Sequence, residues 1–224
     1  MTFWRQAIEI ARVDLVVERR IGNTLRITLP FAVVALMVFP IALGLRLGVV
    51  STIGTGVFWA LAILFGMQVA LRQSATDTRE RRDLQSLLGL DPAARFVGRV
   101  ISGVVLMIGF MLTLLVGMVV LFDPEVPSGG WPVLVVATMA VAIGLTELAT
   151  LAGEVTTGLS NRTVLASLIV APLALPLVIG ASQSVEALER DAGILPWILL
   201  LIATDLALAV AGVALARPLE EATR

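Results

Sequence analysis

Six stretches of this chain are apolar over about the length needed to cross a bilayer: residues 25–45, 49–71, 97–122, 131–152, 164–182 and 194–215. A hydrocarbon core about 30 Å thick is spanned by roughly 20 helical residues. A helix satisfies its backbone donors and acceptors internally, so the runs predict helices rather than strands. Of the 224 residues 58% are hydrophobic and 15% charged, whereas about a quarter of a soluble domain is charged. The fold class that follows is an all-α integral membrane protein with six transmembrane helices, read as one membrane domain over 1–224. Local signals mark the ends. Asp91 can cap the third span with Pro92 at its first helical position, and Trp131 and Trp197 suit the membrane interface.

Residues 1–20 carry charges throughout, unlike a secretory signal. Phe3, Trp4, Ala7, Ile8, Ala11 and Leu15 fall on one helical face, which predicts an amphipathic helix lying in the interface plane. Packing of this helix against a soluble partner is the alternative. All sixteen basic residues are arginine, and their placement sets the expected orientation. Fourteen lie in the N-terminal segment, the second-to-third connection, the fourth-to-fifth connection or the tail, and only Arg46 and Arg190 lie on the other side. Both termini are therefore expected in the cytoplasm.

The second-to-third connection, residues 72–96, holds nine charged side chains. Burying them in lipid would cost on the order of 20 kcal/mol. It is nonetheless patterned as a helix over about 78–88. Asp77 and Glu80 form a capping-box-like start, Leu84, Leu87 and Leu88 share a face, and Gly89 can end it. Arg79, Arg81, Arg82 and Asp83 supply the charged remainder. Two places could hide the leucines: the membrane surface or the protein's own helix ends, or a groove on a cytoplasmic partner.

Missing residue types exclude much chemistry. With no Lys there is no phosphate-binding loop of the Walker type and no Schiff base. With no His or Cys there is no usual zinc site, no Ser-His or Cys-His pair and no disulfide. No catalytic residue, metal or bound cofactor is expected, and nothing points to a nucleic acid. Inside the spans, Asp205 lies about 16 Å into the last run, near the midplane. Such an acid is either a proton or substrate site or a hydrogen-bonding link between helices. Glu147 and Arg99 are placed near span ends, within reach of headgroups, with Arg162 a second partner for Glu147. Pro172 and Pro176 predict a kink or break in span five. Ala203, Ala207 and Ala211 form a ladder suited to close helix packing.

Four segments in register carry a family resemblance: "ARVDLVVERR" with "FPIALG" closing the first span, "GVFWALAILFGM", "RERRDLQSLLGLDPAARFVGR" and "APLALPLVIG". Together they resemble the haem exporter protein B family, the permeases of the bacterial cytochrome c maturation ABC complex. Where that family often has an acid-Asp-Gly followed by Leu-Glu, this chain has Arg81, Arg82, Asp83, Leu84 and Gln85. The resemblance implies a non-catalytic permease working with a separate cytoplasmic ABC ATPase, a haem-handling membrane protein and a haem chaperone, besides membrane lipid. Haem and ATP would be handled by the complex, and the connection would be the segment gripped by the ATPase, similar to a coupling helix. The residues alone also fit a permease of another ABC exporter, or an ion-coupled carrier using Asp205 and Glu147.

Overall fold

The computed structural model describes residues 2–42, 47–75, 81, 84–85, 87–124, 126, 129–156, 161–190 and 192–222. The described residues form helices α1 (Phe3–Ile21), α2 (Asn23–Ala42), α3 (Leu47–Ala75), α4 (Pro92–Phe122), α5 (Gly130–Val155), α6 (Arg162–Leu173), α7 (Leu175–Glu189) and α8 (Leu195–Ala222). Six spans are long and apolar enough to cross a membrane, with α6 and α7 counted as one.

Chain punctuation sets the boundaries. Gly22, at φ 62°, ends α1 by donating its N–H to the Glu18 carbonyl, a left-handed position that favours glycine. Asp91 caps α4 by accepting the Ala93 N–H at 3.1 Å, with Pro92 behind it. Helix α3 runs four residues beyond the expected end of span two, and α4 begins five residues before the expected start of span three. Both helices therefore project into the charged connection. The proline pair bends span five without unwinding it. Ala174, between Pro172 and Pro176, keeps right-handed φ and ψ of −76° and −15°.

Helix α5 is the hub. About 67% of its most apolar window is buried, against 11% for α8 and 17% for α2, and it packs on α3, α4, α6, α7 and α8. Its buried residues are largely small, including Ala137, Ala142, Gly144, Ala149 and Ala152. Helices associate in lipid by close van der Waals fit, which small residues allow. Its threonines need no outside partner: Thr138, Thr146 and Thr150 each donate to the carbonyl four residues earlier at 2.7 Å. Phe58, Met107, Phe110, Met111, Leu114 and Leu145 fill the space between α3, α4 and α5.

The N-terminal helix divides its apolar residues between the protein and the outside. Ala7, Ile10 and Ala11 are buried, while Trp4 and Ile8 are exposed, because α1 packs against α4 of its own chain. The crossing is closest at Gly98, where a β-carbon would lie 2.6 Å from the Ala7 carbonyl oxygen. The first two steps of the alanine ladder are not packed within the chain. Ala203 and Ala207 are exposed, and α8 instead approaches α4 through Gly212 against Phe96.

Gly98→Val should lower the melting temperature in detergent, by an overpacking cost of about 1–3 kcal/mol. Gly109→Ala on the same helix, where no atom lies within 4 Å, should leave it unchanged or raise it.

Candidate coupling surface and its polar anchor

Between α3 and α4 the described residues are Arg81, Leu84, Gln85 and Leu87 onward. They form the end of a helical turn. The Leu88 N–H donates to the Leu84 carbonyl at 3.1 Å, and the Leu90 N–H reaches back to Gln85 at 3.2 Å. Gly89 takes φ 70°, so this is the Schellman ending that the glycine predicts. The start of the expected helix, with Asp77, Arg79, Glu80, Arg82 and Asp83, lies outside the described residues. Leu84, Leu87 and Leu88 are 63%, 83% and 77% exposed. They do not tuck onto the chain's own helix ends, which removes that half of the structural alternative.

Arg81 faces inward and is ion-paired to Asp14 of α1. Asp14 is the acid on the buried stripe of α1, one turn beyond Ile10 and Ala11. Its carboxylate also lies 3.5 Å from the Ser102 hydroxyl of α4. Ser102 accepts from the Gln73 side-chain amide of α3 at 3.0 Å and donates to the Arg99 carbonyl at 2.9 Å. The Arg99 guanidinium donates back to the Ser74 carbonyl at 3.1 Å. A buried polar group in such surroundings is tolerated only when hydrogen-bonded, and this knot joins α1, α3, α4 and the connection. Arg99 is thus buried under the end of α3 rather than reaching headgroups.

A second tie sits at Asp91. Its backbone N–H donates to Gln6 of α1 at 3.1 Å, one carboxylate oxygen caps α4, and the other accepts from Arg217 of α8 at 3.1 Å. The hydrogen bond from Arg217, helped by the Ala93 N–H and by the positive charge of Arg217, holds the Asp91 carboxyl below its usual 3.8 against partial burial.

Inside the bundle, Glu147 is 5% exposed and faces α8 rather than the headgroups. The described residues place the Asp205 carboxyl over Gly144, where a β-carbon would meet its Oδ1 at 2.6 Å. Glu147 is one turn further along α5, within electrostatic reach of Asp205. The buried oxygens Glu147 Oε2 and Asp205 Oδ1 accept no hydrogen bond. The hydrogen-bonded link expected of Asp205 is therefore not what the helices make here; two acids oppose each other instead. Pro172 and Pro176 lie in the bend between α6 and α7, away from the connection.

Sequence reasoning passed over Asp14, Gln73, Ser102, Arg95 and Glu154. Arg95 and Glu154 are 2% and 4% exposed. The signal for them was spacing: Arg95, Arg99 and Ser102 share one face of α4, as Glu147 and Glu154 do on α5.

The model of the family described as CcmB protein matches residues 5–222, and the chain belongs to this family, the haem exporter B family of cytochrome c maturation. No curated protein matches it.

Two outcomes follow from this geometry. A carboxyl with a depressed native pKa adds stability that is full above its unfolded pKa and is lost as pH falls through the native one. Asp91→Asn keeps the cap but removes the negative partner of Arg217. Wild type should therefore melt above the variant at neutral pH, and the gap should close as pH drops below 3.8. Glu147→Gln should raise the melting temperature or leave it unchanged, because it removes from the bundle interior an ionisable group whose buried Oε2 accepts no hydrogen bond.

Proposed function

Starting from a CcmB-family membrane component of the haem exporter complex in cytochrome c maturation, we propose that this chain is a mechanical adaptor. It is a non-catalytic permease whose connection between α3 and α4 is gripped by a separate cytoplasmic ABC ATPase. The grip would serve release of the haem-loaded chaperone, with a haem-handling membrane protein in the same assembly. The arginine distribution supports cytoplasmic termini and a cytoplasmic connection in the bacterial inner membrane. The lack of His and Cys supports haem ligation by partner chains.

One observation carries the reading: a row of exposed leucines, Leu84, Leu87 and Leu88, follows directly on Arg81, which fastens the segment to the bundle through Asp14. Exposed apolar residues at helical spacing suit a helix-in-groove contact. A fastened base is needed if motion of the partner is to reach the spans, since force on a loose loop is absorbed by the loop.

A second reading, an ion-coupled carrier, rests on the opposed Glu147 and Asp205, since ionisable residues at membrane depth often mark ion paths. The two readings separate cleanly. Leu84→Glu with Leu87→Glu should abolish co-purification of an ATPase from native membranes while the chain stays inserted. Retention of the ATPase by that variant, or solute transport by the purified chain alone in liposomes, would overturn the adaptor.

A further inference from the structure

A groove of about 380 Å³ runs between α1 and α4, lined by Ile8, Ala11, Arg12, Leu15, Arg19 and Ile101, with Val16 at one edge. Its floor is apolar and its rim is cationic. Two acids of α1 are occupied elsewhere: Asp14 is ion-paired to Arg81, and Glu18 accepts from the backbone N–H and hydroxyl of Thr24 at 2.8 and 3.1 Å; the third, Glu9, is exposed one turn before Arg12. Arg12 and Arg19 are exposed, and among the described residues neither makes a hydrogen bond or ion pair. The face therefore carries two positive charges beside an apolar trough, and among the described residues no carboxylate is paired with either.

We infer that this groove is a binding site for an anionic phospholipid, its acyl chain lying over Ile8, Ala11, Leu15 and Ile101 and its phosphate held by Arg12 and Arg19. Charge complementarity selects the occupant. A soluble anion has no use for the apolar floor, a zwitterionic lipid gives the arginines no net charge, and an acidic protein helix would have to desolvate two arginines at a surface flush with the lipid. Arg12 and Arg19 stand seven residues apart, about 10.5 Å along the helix axis, so a lipid with two phosphates engages both without bending either side chain inward. The lipid would wedge α1 against α4 on the side opposite the Asp14 knot. The site stands independently of any ATPase contact.

The test uses the full chain in detergent, with cardiolipin and phosphatidylcholine as probes in native mass spectrometry. Cardiolipin should be retained in preference to phosphatidylcholine. Arg12→Gln with Arg19→Gln should lower its affinity on the order of 25-fold, at about fivefold for each arginine. Arg20→Gln, an exposed arginine of the same helix outside the groove, should leave it unchanged, and excess inorganic phosphate should not displace the lipid. Both substituted arginines are exposed, and matching melting temperatures establish that the variant is folded. Equal retention of phosphatidylcholine, an equal loss in Arg20→Gln, or displacement by inorganic phosphate would each overturn the site.

Discussion

The knot of Asp14, Arg81, Ser102, Gln73 and Arg99 is the interaction on which the arrangement of this end of the bundle depends. Charged and amide groups so close to the apolar spans are stable only when they answer one another. Here they do so across four chain segments. Removing one partner would strand the others, and a half-satisfied network is worse than none. The described part of the connection between α3 and α4 is thus fastened at Arg81, the property the proposed adaptor requires.

The opposite solution appears at the centre of the bundle. Helix α5 is lined with small residues and with threonines bonded to their own backbone, so neighbouring helices approach closely and those hydroxyls need no partner on another helix. Within that packing Glu147 and Asp205 lie within electrostatic reach of each other, and their buried oxygens Oε2 and Oδ1 accept no hydrogen bond. One end of the molecule is held by satisfied polar contacts; close fit dominates the middle. The bend at Ala174 lies beside this middle region, where α6 and α7 pack on α5.

How far the sequence could be read depended on which solvent rewards a residue. The six spans were legible because length and apolarity are set by the bilayer. Asp91 with Pro92, and Gly89, were legible because caps are local. The buried face of α1 was not: Trp4 and Ile8 are as apolar as Ile10, and lipid accepts what protein does not cover. Glu147 and Arg99 were placed near headgroups by counting from apolar run ends, but α5 continues to Val155 and α4 begins at Pro92, so both lie deeper. Asp14 looked like one more charge on an amphipathic helix. Its partner lies 67 residues away, and no local pattern encodes such a pairing. The alanines of α8 show the reverse error, since small residues permit close packing without compelling it.

The claim that the connection acts through a fastened root is tested most directly by a double-mutant cycle on Asp14→Ala and Arg81→Ala, read as the amount of ATPase retained by the purified complex. If the pair transmits the grip, each single change lowers retention and the double variant is no worse than either. Independent effects that multiply in the double variant, or full retention in both singles, would contradict it.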